Sequence, residues 1–452
     1  GFAEIREGRV EVHACTQAPM MDREALALIL GRPETAIRIV PTAVGGGFGS
    51  KLDISIQPVL ALAAIKTGRP VRITYGRGES MMSTTKRHPA RMEVRIGARA
   101  DGRLSGFRLD GVFDTGAYAS WGPTVATRVP VHASGPYAHA HYRAEARAIH
   151  THNPPSGAFR GFGVPQAAIA QEVLFDELAD RLGLDPLEFR LANVLENGTR
   201  TVCGQVFAQG VGIRACLEAL VPGWRAALKE CAGFNADARE ADSPLRMGAG
   251  LAAGWYGCGN TSLANPSTIK AGVRADGRIV LHQGAEDIGQ GADTVTPQTF
   301  AHPLGVEVAT LEVLGGDTDI TPDCGKTSAS RQTFVTGNAA RLAGEALRAQ
   351  ILRHANAGED ARIVATPGGL RVEDEAGTRD VPLAALEADG EGYVLRAEET
   401  YDPPTRPLDE NGQGAPYAQY GYAAQLAVVE VDTALGTVKA RRFVAAHDVG
   451  AA

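Results

Sequence analysis

Two glycine-rich phrases carry the residues best suited to chemistry: Gly45-Gly46-Gly47-Phe48-Gly49-Ser50-Lys51 and Ala158-Phe159-Arg160-Gly161-Phe162-Gly163-Val164-Pro165-Gln166. Glycine takes positive φ at little cost and lets backbone N–H groups approach a ligand closely. Two such loops around Arg160 suit a large anionic ligand. Neither fits a nucleotide pattern, since the first lacks the Gly-Lys-Ser/Thr ending of a P-loop and neither spaces its glycines as G-x-G-x-x-G. From spacing alone, a pair of structural turns accounts for them equally well. Arg160 offers a planar, permanently charged guanidinium that can stabilise developing negative charge; the alternative is a structural ion pair. Five histidines (His132, His139, His141, His150, His152) crowd a short stretch. Their i,i+2 pairs would share one face of a strand, which allows either zinc binding or an ordinary strand. No His/Cys/Asp cluster has the spacing of a transition-metal cage.

Further phrases follow in a definite order. They are Thr16-Gln17, Arg87-His88-Pro89, Asp114-Thr115-Gly116-Ala117-Tyr118, Ile288-Gly289-Gln290-Gly291, Thr327-Ser328-Ala329-Ser330-Arg331 and Ala445-Ala446-His447-Asp448-Val449-Gly450. With the two glycine loops, this series resembles the molybdenum-cofactor subunit of the xanthine dehydrogenase and aldehyde oxidoreductase family of molybdenum hydroxylases. The resemblance covers essentially the whole chain. It implies a molybdopterin whose dithiolene holds the molybdenum, so that no protein side chain ligates the metal; its tail is a mononucleotide or a dinucleotide, of which the cytosine dinucleotide is the form expected.

The resemblance also assigns roles. Gln17 stands where the family hydrogen-bonds the metal's apical oxo group; a polar strand-end residue is the bland reading. Gly46, Gly47, Phe48 and Gly49 match the loop beside the metal, and Ala158, Phe159, Arg160 and Gly161 the second cofactor loop. Gly289, Gln290 and Gly291 match the stretch that binds the pterin and its first phosphate. Thr327, Ser328, Ala329, Ser330, Arg331 and Gln332 match the pyrophosphate or nucleotide segment. Leu52, Phe162 and Cys203 fall near substrate-pocket positions, with a buried inert thiol equally open for Cys203. Leu52 replaces the glutamate that binds purines in the family, which disfavours xanthine.

One family feature is missing. The Gly-x-Gly-Glu phrase that carries the general base does not occur; Gly344-Glu345 is the nearest lookalike, and Glu172 and Glu286 fit structural positions better. A base contributes typically ~10²–10⁴-fold, so another polypeptide or a continuation of this one is expected to supply it. The resemblance implies hydroxylation of an aldehyde or N-heterocycle with water as oxygen source, and electrons passing to iron–sulfur clusters and FAD on partner subunits. The alternatives are a cofactor-binding half that is inactive alone, or a branch reducing aryl-CoA thioesters. A carbon monoxide branch is disfavoured because no cysteine lies between Ala158 and Gln166.

The elements that must position these residues can be read from periodicity. The 452 residues, 44% hydrophobic and 21% charged, suffice for two or three globular domains. A net charge of −7 argues against nucleic acid, and apolar runs such as 59–65 are too short to span a bilayer. Six unpaired-looking cysteines point to a reducing, cytoplasmic setting. The absent initiator methionine and the ending on Ala452 read as a processed fragment or one piece of a split subunit. The fold class expected is α+β: two related molybdopterin-binding domains with mixed sheets and packed helices. Their limits are placed at 1–221 and 246–452, the second incomplete at its C-terminus, with a linker at 222–245 around a helix. Strands are expected at 9–15, 35–44, 71–75, 91–98, 104–113, 249–256, 269–274 and 279–284, with a final hairpin of 423–431 and 438–445. Helices are expected at 23–30, 57–66, 165–182, 186–193, 293–304 and 337–354, and an exposed loop at 398–416.

Overall fold

The computed structural model describes residues 1–450. The chain forms two compact units, each assembled from three stretches: residues 1–86, 157–160 and 264–404 make one, and residues 87–156, 161–263 and those from 405 onward make the other.

The first unit holds two four-stranded sheets of the same topology. In one, Phe2–Arg6 and Arg9–Ala14 form an antiparallel hairpin, and Ile37–Pro41 then lies parallel to Arg9–Ala14. A parallel return needs a crossover, here the helix Pro19–Leu30, which Gly31 ends in a left-handed turn. Val71–Arg72 flanks Phe2–Arg6. In the other sheet Ser267–Val273 and Ile279–Gln283 are antiparallel, Ala292–Leu304 crosses over, and Leu311–Gly315 runs parallel to Ile279–Gln283. Leu395–Tyr401 takes the flanking place. Alternate Val10, Val12, Ile37 and Ile39 are fully buried under the helices in the first, as are Ile269, Ala271 and Leu281 in the second. In both sheets the segments after the second and third strands leave from the carboxyl ends of a parallel pair, where open α/β sheets bind ligands. These segments are residues 15–18 and 42–51 in one sheet, 284–291 and 316–331 in the other. Every glycine-rich or hydroxyl-rich phrase of the first unit except 157–160 is among them.

The second unit has a three-stranded sheet, Ala90–Ala98, Leu104–Gly116 and Tyr142–His150, whose last pair is parallel around the helix Gly122–His132. A second sheet has the order Thr437–Asp448, Tyr420–Asp432, Leu245–Gly257. The helix Ile213–Glu240 packs on it through Leu217, Leu220, Trp224 and Ala227.

Several expectations change. Most of the stretch read as a linker, 222–245, belongs to that 28-residue helix, which continues through Pro222 because its apolar face has a sheet to bury against. The loop expected at 398–416 begins inside the strand Leu395–Tyr401, and Ala415 beyond it is buried. Three short antiparallel strands at Arg362–Thr366, Gly369–Asp374 and Gly377–Asp380 had no clear alternation. The histidine-rich stretch divides: His132 ends a helix, whereas His150 ends a strand. His132 is buried, and burial together with neighbouring Arg128 pushes it down to about 3, so it is a neutral acceptor for the Gly257 amide at 3.1 Å. Among the described residues no group of three or more His, Cys, Asp or Glu comes together as a metal cage.

Candidate cofactor site

Gln17 organises the site. It follows the buried strand Arg9–Ala14 and is 1% exposed. Its Oε1 accepts from the amides of Gly49 (3.0 Å) and Lys51 (3.3 Å), while its Nε2 donates to the Thr327 carbonyl at 2.6 Å. Its backbone does the same work, donating to Lys51 O and accepting from Thr327 N. One amide side chain therefore ties the first glycine loop to the Thr327 segment. Gly47 has to be glycine for this: a Cβ there would sit 2.6 Å from Gln17 Oε1.

The second glycine phrase joins the same cluster. The Arg160 amide donates to Phe48 O at 2.9 Å, and Gly49, at φ +97°, lies so close to the Ala158 carbonyl that a Cβ would be 2.7 Å from its oxygen. Phe48 itself holds φ +54° and is 58% exposed, an uncommon conformation for an aromatic residue. Such strain costs of order 1–3 kcal/mol and persists where the surroundings impose it, often at binding sites. The exposed Arg160 guanidinium sits over the Phe48 ring at 5.8 Å. Lys51 Nζ donates to Gly46 O at 2.9 Å and closes the loop. Leu52, buried at 2%, anchors the end of the loop.

The Thr327 segment completes the cradle. Thr327 Oγ1 donates to Glu286 O at 2.8 Å, and Gln332 Nε2 donates to Thr327 Oγ1 at 3.0 Å from a single π turn, Gln332–Thr336. Ala329 and Ser330 are consecutively left-handed, at φ +56° and +51°. Ser328 Oγ is buried with no hydrogen-bond partner among the described residues. A buried hydroxyl normally has a partner, so a polar ligand atom fits here. Arg331 does not face a phosphate as expected. It is 1% exposed, and its guanidinium donates to Asn265 Oδ1 and O, Pro266 O, Cys324 O and Lys326 O. All five donors hold the loop together.

The Gly289-Gln290-Gly291 loop is likewise held from within. Asp287 accepts from the amides of Gly289 (2.8 Å), Gly291 (3.4 Å) and Asp293 (3.1 Å), and Gln290 bridges the Ile288 amide to the Glu286 carbonyl. Burial alone would raise Asp287; the backbone donors outweigh it and hold the carboxyl below its ordinary value. Glu286, by contrast, is 7% exposed with Oε1 unpartnered. Burial first, then Asp293, Asp22 and Asp287, push it up to about 8, so it keeps its proton at neutral pH.

In the second unit Gly161 and Phe162 open the helix Val164–Leu182. Phe162 is buried, at φ +47°, edge-on to Trp121. Beneath it lies Arg128, which the sequence did not single out. It is 1% exposed, within 5.3 Å of the Phe162 ring, 5.1 Å of Tyr256 and 5.6 Å of Tyr417, and it donates to Tyr256 OH, Thr261 Oγ1 and Gly259 O. No carboxylate among the described residues pairs with it. A buried arginine without an acid is rare, but one Arg in Thr127-Arg128-Val129 gives no sequence signal beyond standing four residues before His132. Cys203 packs in the core with Tyr417 and Tyr420, and burial pushes its thiol up to about 11; of the two readings, the inert thiol is the one this environment supports.

Models of the molybdopterin cofactor-binding domain match residues 1–194 and 221–452. The nicotinate dehydrogenase large molybdopterin subunit of Eubacterium barkeri is 44% identical over 212 residues, 47% of this chain and 50% of that protein. The xanthine dehydrogenase molybdenum-binding subunit of Escherichia coli O157:H7 is 34% identical over 77% of this chain and 46% of its own length. Among solved structures, the aldehyde oxidoreductase of Desulfovibrio gigas superposes with a TM-score of 0.85 at 28% identity, over 99% of this chain and 47% of that one. The chain spans about half the length of the relatives it matches. It belongs to the xanthine dehydrogenase and aldehyde oxidoreductase family as a molybdopterin cofactor-binding chain.

Proposed function

We propose that this chain is the cofactor-binding part of a molybdenum oxidoreductase that hydroxylates an aldehyde or an N-heterocycle with water as the oxygen source. The observation that carries this reading is the convergence of Gln17, the Gly46–Gly49 loop, Arg160, Glu286 and Thr327 through direct hydrogen bonds in one compact unit. When bound, the molybdopterin supplies the metal and the two-electron redox chemistry. The amides of Gly47 and Phe48, Ser328 Oγ and the left-handed Ala329-Ser330 backbone are the groups that would hold it; the cytosine dinucleotide form is the reading adopted for its tail. Gln17 and Arg331 keep these loops in place, and Gly289, Gln290 and Gly291 shape the wall. Arg160, exposed above Phe48, stabilises negative charge on the substrate.

A non-purine N-heterocycle is favoured over xanthine. Leu52 is apolar where a purine-binding carboxylate would stand. A carboxylated ring such as that named in the nicotinate dehydrogenase relative fits this reading. The chain's own glutamates near the motifs are placed elsewhere or enclosed: Glu345 pairs with Arg341 on the surface, Glu172 is tied to Arg190, and Glu286 is buried. The base therefore comes from polypeptide outside these residues, and electrons leave through iron–sulfur and FAD subunits.

The test is molybdenum and nucleotide analysis of the native complex, followed by turnover of nicotinate, a simple aldehyde and xanthine. About one molybdenum per chain, released cytidine nucleotide and preference for the carboxylated heterocycle are expected. Native material free of molybdenum and pterin would overturn the reading.

A further inference from the structure

Glu286 lies where several segments of the first unit meet, and the charged groups that act on it are all acids. Its carboxyl is enclosed, and Oε1 has no hydrogen-bond partner among the described residues. Gly316 closes over it, since a Cβ there would lie 2.7 Å from Oε1 and 3.1 Å from Pro41 Cγ. Asp293 acts on it from the helix Ala292–Leu304, Asp22 from the helix Pro19–Leu30 and Asp287 from its own loop. No cation offsets them. Asp22 is itself buried, with Gln57 Nε2 at 2.9 Å and Thr16 as its donors and Asp53 as a further like charge.

A buried carboxylate among like charges is costly, and such a group neutralises by keeping its proton. A second side chain fits the neutral form. Gln283, 1% exposed, donates through Nε2 to Asp293 at 2.8 Å, and its Oε1 is left as an acceptor without a donor. Ionised acids only accept, so a protonated carboxyl brings the kind of group that this cluster lacks.

The same residue supports the candidate cofactor loops through its backbone. Glu286 O accepts from Thr327 Oγ1 at 2.8 Å and from Gln290 Nε2 at 3.1 Å, and Ser328 beside Thr327 keeps its unpartnered buried hydroxyl. The cofactor proposed for these loops is anionic through its phosphates. A negative charge on Glu286 opposes such a ligand, and a proton there removes the opposition. A ligand that prefers the protonated form binds more weakly as the proton leaves, and by reciprocity its binding tightens the hold on the proton.

We propose that Glu286 is a proton-dependent latch on the cofactor: the loops take up their anionic ligand together with one proton on this side chain, and alkaline pH loosens both. The inference rests on the reading of these loops as a molybdopterin cradle and adds a regulation of that same cradle.

It is tested on the native complex by following the release of molybdenum and pterin during dialysis between about pH 7 and 10. Wild type is compared with Glu286→Gln and with Glu345→Gln, which alters only a surface ion pair. Release from wild type and from Glu345→Gln should quicken on the alkaline side by up to ~10-fold per pH unit, the limit for one linked proton. Glu286→Gln keeps the neutral shape and should release its cofactor at a rate that changes far less with pH. Melting temperatures taken in parallel separate release from unfolding. A second readout is the infrared difference between wild type and Glu286→Gln at neutral pH, which should show the C=O band of a carboxylic acid. Equal release from the two at every pH would overturn the latch, as would a carboxylate band in that difference. Native protein that holds neither molybdenum nor pterin would overturn the cradle reading along with it.

Discussion

Two buried glutamates, one in each unit, show how a carboxyl that builds the fold differs from one set beside a ligand. Glu172 is surrounded by donors: Tyr137 OH at 2.9 Å, Gln171 Nε2 at 3.1 Å, Arg190 Nε at 2.8 Å and the Ala253 amide at 3.2 Å. Nothing is left over. Glu286, equally buried, has an unpartnered Oε1 and further carboxyls around it, beside a segment where Ser328 Oγ also lacks a partner. The arginines differ in burial rather than in pairing: Arg190 and Arg331 are enclosed and bonded internally, whereas Arg160 is exposed over the Phe48 ring. Full satisfaction marks structure. Unused capacity marks a place meant for something else.

The largest effect should come from the saturated region. Arg190→Ala leaves Glu172 as a buried charge without its cation, and is expected to cost about 3–5 kcal/mol in urea unfolding; a loss below about 1 kcal/mol would erase the distinction. Next, Arg160→Ala should lower turnover by ~10²–10³-fold, with molybdenum content and melting temperature unchanged. If stability falls instead, Arg160 is a structural residue like Arg190. Gly49→Ala forces a Cβ against the Ala158 carbonyl at φ +97°. It should cost about 1–3 kcal/mol and lower cofactor retention, because it parts the two glycine loops; unchanged molybdenum content would show that their contact is incidental.

The smallest effect at neutral pH is a slope. Glu286 is raised from 4.5 to about 8, so the folded state binds a proton that the unfolded state has released. Its contribution to stability is complete below about pH 4.5 and is lost as pH rises toward 8. Asp22, pushed up to about 7 mainly by burial, acts in the same direction. Glu286→Gln should therefore flatten the decline in melting temperature between pH 5 and 8. A variant that steepens it would mean Glu286 is ionised in the fold.

Much of this was legible in order and periodicity. The helices Pro186–Asn193 and Gly337–His354 have the expected ends because their apolar spacing is regular and, in the first, Asp185 caps the start. The helix Gly122–His132 was not foreseen, since Pro123, Pro130 and a run of β-branched residues hide its periodicity. Nor was its buried Arg128, which depends on Tyr256 and Tyr417 far along the chain.

The linear order of motifs by itself determined the family and the ligand class, because glycines and hydroxyl residues must recur at set places wherever a backbone is to approach a large cofactor. Tertiary structure alone decided which residues remain available to that cofactor. Arg331 and the Gly289-Gln290-Gly291 loop are engaged internally, and Ser328 is left unpaired, because hydrogen-bond partners hundreds of residues apart meet only when the two like-built sheets bring their strand ends together.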